Sequence, residues 1–457
     1  MKRAGILVFA DSQDGADLAD RRFGGLTTLE RGIRTMARAG VQRLLVVVPD
    51  QVQPALGKVT EKLALDLQFA RWGQQPEMNF ADNERILILL GDHVHHHTSL
   101  RAFVDTDDDG CVLLAQVSSA PPQPPPFHHI PETDVQDGDS GAVDVSTGAL
   151  MCCGKLAPEK IVELRQSPLE FLSTLGTPFS LRQGDPNLWR RVHDRASARQ
   201  ARAMLFGQVT KKTSGPVSRH INARISIPIS KMLIETGISP HMVTVLFVLT
   251  TGLTTAWLIS QQPLTYWRLA LAGAFWQMAA VLDRCDGEIA RVKLCESKFG
   301  AWFDTVTDNI AYLATYVAFL MGVQHLHPDK PWALYFGISA IGAMIVALAV
   351  MYNYALKTGS GSLQNYLVGF RSHVPADEKN SIYRLLERYA FIAKRDFFAF
   401  VHFVCCLLGS FELLYAYTVG GLHLVVLAVL ISQRKMLEGH KRQLASDASG
   451  TASGTTG

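Results

Sequence analysis

From residue 241 onward the chain is dominated by apolar runs that leave little choice of fold: this half must be a bundle of membrane-crossing helices. A span needs about 20 mainly apolar residues, and six stretches read that way: 241–259, 264–282, 303–323, 332–352, 397–417 and 419–431. The last two read as a hairpin turning at Gly420-Gly421. Basic residues gather before the first run (Lys211, Lys212, Arg219, Arg224, Lys231) and between the second and third (Arg284, Arg291, Lys293, Lys298). They recur between the fourth and fifth (Lys357, Arg371, Lys379, Arg384, Arg388, Lys394, Arg395) and after the sixth (Arg434, Lys435, Lys441, Arg442). The opposite connections carry little charge, so both termini are expected in the cytoplasm, with the protein multi-pass in the cell (inner) membrane.

The mean hydropathy of +0.11 averages two unlike halves. Before Arg224 the pattern is that of a soluble α/β domain. Buried strands are expected at 5–10, 43–48 (RLLVVV), 85–90 (RILILL) and 143–153, with helices at 26–39, 59–70 and 194–206. Continuous apolar strands between amphipathic helices predict a mainly parallel, Rossmann-like sheet. The proline-rich PPQPPP at 121–126 reads as a loop. The start MKRAGILVFADSQDG holds too short an apolar stretch for a signal peptide. Residues 216–237 alternate Ile221, Ile225, Ile227, Ile229, Met232 and Leu233 with Arg219, Arg224 and Lys231, the pattern of a helix lying on anionic headgroups. The expected organisation is therefore 1–207 cytoplasmic domain, 208–239 linker and interfacial helix, 240–436 six-span all-α domain, and 437–457 disordered tail.

A net charge of +3 gives no field suited to nucleic acid. The seven cysteines (Cys111, Cys152, Cys153, Cys285, Cys295, Cys405, Cys406) form no C-x-x-C pair, which suits reduced, unpaired thiols.

The chemistry concentrates in DRCDGEIARVKLCESKFGAWFDTVTD, 283–308. Asp283 and Asp286 share a face at the cytoplasmic end of the second span; Asp304 and Asp308 share one in the third. Carboxylates inside spans are costly and point into polar cavities with partners. Four of them, with no intramembrane cation evident, call for a hard divalent ion such as Mg2+ or Mn2+. A non-enzymatic cation transporter or scaffold could use the same acids.

The spacing resembles, without departure, the signature of the CDP-alcohol phosphotransferase family: D-x-x-D-G-x-x-A-R, eight residues, G-x-x-x-D-x-x-x-D. Here it is Asp283, Asp286, Gly287, Ala290, Arg291, Gly300, Asp304 and Asp308. The resemblance implies transfer of a phosphoalcohol from a CDP-alcohol donor to an acceptor hydroxyl, with release of CMP. It implies two divalent ions on Asp283, Asp286, Asp304 and Asp308, with Asp308 also the general base. Gly287 and Ala290 would admit the nucleotide, Arg291 would pair with phosphate, and Gly300 would keep the helices apart. Pro240 and Thr244 match a further element lining the nucleotide site, with His241 where asparagine is commoner. The segment 214–244 is similar to the branch of the family that makes phosphodiesters of inositol. Arg371, Lys394, Arg395 and Asp396 border the cavity and could hold the acceptor. A homodimer in a lipid bilayer is likewise implied, with inositol-phosphate or phospholipid synthesis as the products' context.

The first domain resembles sugar-phosphate nucleotidyltransferases: residues 23–48 look like their second block, and LLGDHV (89–94) like the strand end whose Asp92 binds metal. With the membrane half, the arrangement resembles enzymes joining inositol-1-phosphate cytidylyltransferase to a di-myo-inositol phosphate phosphate synthase. The glycine-rich phosphate loop of that family is replaced by FADSQDGADLADRR, with Asp11, Asp14, Asp17 and Asp20 where phosphate must sit. The acidic pair expected near residue 191 is replaced by Arg191 and His193. A degenerate domain without cytidylyltransferase activity is expected; an active one making CDP-inositol is the alternative. The cluster His93, His95, His96, His97 reads as a surface loop, and 105–109 as a solvated acidic loop.

Overall fold

The computed structural model describes residues 3–72, 74, 77–78, 80–81, 84–105, 111–117, 143–153, 179–211, 214–357 and 395–430. The loop at 121–126, the tail at 437–457, Arg371 and Lys394 lie outside them. The chain divides into two compact units. The first is Met1–Val209 with Ile234–Thr236 and Arg291–Cys295; the second is Thr210–Leu233, Gly237–Ala290 and Glu296–Gly457.

The first unit is built on a seven-stranded sheet. In chain order its strands are β1 (Arg3–Val8), β4 (Arg43–Val48), β5 (Asp66–Arg71), β6 (Arg85–Leu90), β8 (Cys111–Val117), β9 (Val143–Cys153) and β10 (Phe179–Gln183). Spatially they run β10-β8-β9-β6-β1-β4-β5. β2 (Arg22–Phe23) and β3 (Leu26–Thr27) form a small ribbon, as do β7 (His93–His95) and β11 (Trp189–Arg191). β1 pairs parallel with both β4 and β6, and β9 runs antiparallel between β6 and β8. β1, β4 and β6 are apolar at nearly every position because both sheet faces are covered; Ile6, Leu45 and Ile86 are fully buried.

The helices of this unit are α1 (Gln13–Asp20), α2 (Thr28–Ala39), α3 (Lys58–Glu61), α4 (His97–Val104) and α5 (Arg195–Gly207). Each local signal has a cause. Thr27 caps α2 by accepting from the Glu30 N–H, and Gly40 at φ 99° ends it in the left-handed region that glycine favours. Asp194 caps α5 with a reciprocal Ser197 bond.

Two expectations fail here. Residues 59–70 are not one helix: a single turn (α3) is followed by β5, which adds parallel to the edge of β4. Backbone pairing to an open strand edge outweighs a weak helical periodicity. Nor are His93 and His95 in a surface loop. They lie on β7, buried, with both rings stacked on Trp189 at 5.9 and 6.4 Å.

In the second unit, α6 (Ala223–Leu233) is entered through the wider turn Ser218–Asn222. Its faces are inverted relative to a soluble helix. Asn222, Ser226 and Ser230 are fully buried, while Arg219, Ile221, Arg224, Ile225 and Met232 are exposed. Six helices follow among the described residues: α7 (Pro240–Ser260), α8 (Tyr266–Val292), α9 (Lys298–Leu326), α10 (Pro331–Lys357), α11 (Arg395–Leu407) and α12 (Phe411–Leu430). α7, α9, α10 and α12 are long and apolar enough to cross a membrane. α8 is long too, but Arg268 and Gln277 interrupt its apolar part and it ends in the charged signature. Trp267 and Trp332, 78% and 60% exposed, flank the connections 261–265 and 327–330, as aromatic residues do at a bilayer interface.

The last hairpin differs from expectation. The turn falls at Gly409, whose φ of +69° only glycine adopts readily, and Ser410 caps α12 through the Leu413 N–H. Gly420-Gly421 lies inside α12, where Gly421 faces the Phe398 ring. Two glycines made a turn plausible, but tertiary packing against an aromatic ring absorbs them in a helix.

Candidate active site

The acids of the signature come from the end of α8 and the second and third turns of α9. Ser297 caps α9 by accepting from the Gly300 N–H at 2.9 Å, so Asp304 and Asp308 follow at fixed helical offsets. One ligand oxygen from each of Asp283, Asp286 and Asp304 lies within 4.8 Å of the others, with Asp283 and Asp286 buried. It is the group of such ligands, among the described residues, fit to hold a metal ion.

A third element fixes the orientation of Asp286. Ser239 and Pro240 start α7, which takes a wider turn over Thr244–Leu249, and buried Thr244 donates its hydroxyl to Asp286 Oδ2 at 2.6 Å. Asp283 Oδ1 and Asp304 Oδ1 are buried without a hydrogen-bond partner in the protein. Leaving ionised oxygens so is unfavourable by several kcal/mol on the order of magnitude of lost hydration. The donor set is oxygen only and hard. These residues fit a divalent ion such as Mg2+.

Asp308 stands outside this group of three. Its Oδ2 accepts from Arg395 Nη1, while Arg395 Nη2 pairs with Asp283 Oδ2. The expectation that no cation stands among the acids is thus overturned: α11, distant in sequence, brings one guanidinium between two of them. One guanidinium does not balance four carboxylates. The neighbouring Asp396 turns the other way and accepts from the Ser218 N–H at 2.9 Å, packing against Gly215.

Behind Asp283, Asp308 and Arg395 lies a cavity of about 20 Å³, room for one water. Trp276 and Tyr312 line it, with Gly252, Ala280 and Ala311. Sequence reading passed over Trp276 and Tyr312, yet they stand at helical offsets of seven and four from Asp283 and Asp308, which keep the same face. At Gly300 a Cβ would stand 3.1 Å from His241 Cε1 and 3.2 Å from Ser297 Oγ. Gly287, Ala290 and Arg291 are half-buried, at the last turns of α8.

On the opposite face of α8, Glu288 is fully buried and accepts from Ser226 (2.8 Å), Ser230 (2.7 Å) and Arg284 (3.0 Å). Every oxygen is satisfied, and this polar seam holds α6.

In the first unit Asp92 sits at the end of β6, as expected, but its carboxylate is engaged. It accepts from His93 Nδ1 and Arg191 Nε, each at 2.7 Å. Burial pushes its acidity one way; His93 and Arg191 outweigh it and hold Asp92 down at about 2. Burial pushes His95 down to about 3, and its Nε2–H donates to the Thr147 carbonyl. Where a phosphate loop was sought, α1 is capped by Ser12, and Asp14, Asp17 and Asp20 face solvent.

Three carboxylates on α8 and α9 thus converge on one oxygen-lined centre, in a unit where four helices are long and apolar enough to cross a membrane. Residues 237–429 match the family model for CDP-alcohol phosphatidyltransferase. A bifunctional IPC transferase and DIPP synthase of Rubrobacter xylanophilus is 27% identical over 314 residues, covering 64% of this chain and 69% of that one. One from Thermococcus kodakarensis is 38% identical over 124 residues, 26% of each chain. Among solved structures, the inositol-1-phosphate CTP transferase from T. maritima aligns with 44% of this chain and 95% of its own, at 13% identity and a TM-score of 0.30.

Proposed function

We propose that this protein transfers a phosphoalcohol from a CDP-alcohol to an acceptor hydroxyl, releasing CMP, at the carboxylate centre of α8 and α9. The convergence of Asp283, Asp286 and Asp304 within 4.8 Å, with buried unpartnered oxygens on two of them, carries this reading. These residues would hold one or two Mg2+ or Mn2+ ions, with Asp308 sharing the second. Bound there, such ions neutralise the pyrophosphate and stabilise the attacking and leaving oxygens.

The chain's own groups do the rest. The acceptor oxygen attacks the phosphorus bearing the alcohol, the bond from that phosphorus to the CMP oxygen breaks, and the hydroxyl proton passes to Asp308. Thr244 orients Asp286. Gly287 and Ala290 let the nucleotide approach the backbone, Gly300 keeps the two helices apart, and Arg291 pairs with donor phosphate. Arg395, beside Asp308, would hold an acceptor phosphate. Inositol phosphate is the alcohol class favoured by the whole-chain resemblance. The protein would work as a homodimer in the cell (inner) membrane, with its site and termini facing the cytoplasm.

The first unit, on this reading, makes no CDP-alcohol. Asp92, the carboxylate that would bind magnesium, is held by His93 and Arg191, and α1 replaces the phosphate loop. The names of the bifunctional relatives favour the other reading, in which this unit makes CDP-inositol.

The test is CMP release by the purified full chain with CDP-inositol, CDP-diacylglycerol or CDP-glycerol and matching acceptors. Asp308→Asn is expected to lose roughly 10²- to 10⁴-fold while remaining folded. A folded variant with near-native turnover removes Asp308 as the base; native protein inactive with every donor removes the transferase reading. Incubating the same variant with CTP, magnesium and inositol 1-phosphate separates the two readings of the first unit, since pyrophosphate appears only if that unit is active.

A further inference from the structure

The first compact unit includes five residues from far along the chain, Arg291–Cys295, and three from Ile234–Thr236. What holds them there is a pair of buried arginines on α2. Arg31, 2% exposed, donates Nη1 to the Val292 carbonyl at 2.8 Å and Nη2 to the carbonyls of Phe23 (3.0 Å) and Gly24 (3.1 Å). Arg34, 4% exposed, donates Nη1 to the Lys293 carbonyl at 2.7 Å, while its Nε reaches Thr60 and its Nη2 Glu30. Glu235 accepts from the Gly24 N–H at 3.0 Å and pairs with Arg202.

The position of those two carbonyls gives the arrangement its meaning. Val292 is the last residue of α8, the helix that carries Asp283, Asp286 and Arg291. The final carbonyls of a helix have no partner within it, and they form its negative end. Two guanidinium groups satisfy both. The chain then turns through Leu294, whose φ of 50° is uncommon for any residue but glycine, before Ser297 starts the helix of Asp304 and Asp308. A backbone so bent persists only when its surroundings fix it. Buried charges are costly unless fully hydrogen-bonded, yet Arg31 leaves its Nε buried without a partner and gives its Nη donors to main-chain carbonyls of the β2–β3 ribbon and of the end of α8. That geometry serves to place a backbone.

We propose that Arg31 and Arg34 are positioning residues of the transfer reaction: they fix the end of the helix bearing Asp283, Asp286 and Arg291, and so the loop between the two acid-bearing helices. This rests on the transferase reading above. It gives the first unit a task that needs no nucleotide of its own. Arg31 and Arg34 touch no substrate; they act through Arg291, next to the held carbonyls, and hence on the donor phosphate before the acceptor.

The experiment uses the full chain, with CDP-inositol and inositol 1-phosphate varied in turn, for native protein, Arg31→Met and Arg31→Lys. Displacing a backbone by about an ångström can slow a reaction by one to two orders of magnitude. Arg31→Met is expected to raise KM for CDP-inositol on the order of tenfold, with KM for inositol 1-phosphate within about twofold of native. Arg31→Lys, which keeps the charge but reaches fewer carbonyls, should fall between. A purely structural role would lower the yield of active protein and leave both KM values unchanged, which overturns the proposal; so do native KM values in a folded variant. Should Arg31→Met fail to fold, Arg31→Lys decides by the same criterion. Native protein that releases no CMP sinks the transferase reading itself, a failure distinct from an active native enzyme indifferent to Arg31.

Discussion

Thr244→Val is the sharpest perturbation of the acid centre, because it exchanges one hydroxyl for a methyl of nearly equal size at a site 1% exposed. The lost O–H is the donor that Asp286 Oδ2 accepts at 2.6 Å. A hydrogen bond to an ionised group in a buried site contributes about 1.5–3 kcal/mol. At about 1.4 kcal/mol per tenfold, the divalent-ion affinity should fall by roughly 10- to 150-fold, in line with the range for residues that orient metal ligands. Two readouts check this: the Mg2+ concentration giving half-maximal CMP release, and Mn2+ uptake followed by loss of the free-ion paramagnetic resonance signal. Thr244→Ser retains the hydroxyl and should stay near native in both. If folded Thr244→Val keeps native metal dependence in both readouts, Thr244 does not orient a metal ligand, and the assignment of Asp286 to the metal centre loses its support.

Gly252→Leu should destabilise the α7–α9 contact by about 1–3 kcal/mol, since a Cβ at Gly252 would stand 2.6 Å from the Ala311 Cβ; thermal melting of the purified protein checks it. Asp92→Asn tests the engaged carboxylate. Because Asp92 is held at about 2 against an ordinary 3.8, its contribution, on the order of 2 kcal/mol, is present above pH ~4 and lost as pH falls towards 2. Stability curves of native and variant protein should therefore differ at pH 6 and converge near pH 2; a constant gap across that range would contradict the assignment.

Much of this was readable from residues alone, where the signal was local. RLLVVV and RILILL became β4 and β6 with no shift in bounds, because a strand buried on both faces has no other use for such a run. The acid spacing brought three carboxylates together because helical offsets are fixed by geometry. What sequence could not supply depended on pairings across the fold. Arg395 lies 87 positions beyond Asp308; the resemblance put it beside the cavity, but nothing local shows that its guanidinium bridges two of the acids. The segment 59–70 became partly strand because β4 offered an unpaired edge. His93 and His95 were drawn inward by Trp189, almost a hundred residues later. The turn at Gly409 lost to Gly420-Gly421 on composition and won on backbone conformation.

The inward-facing serines of α6 bear on where the catalytic half begins. The family match opens at residue 237, yet Ser226 and Ser230 precede it and are two of the three donors that Glu288 accepts from. A fragment cut at the match boundary would leave a carboxylate in the last two turns of the signature helix stripped of both serines, with Arg284 alone. Any grafting of this half onto another protein must therefore carry the preceding twenty or so residues as an inseparable lining.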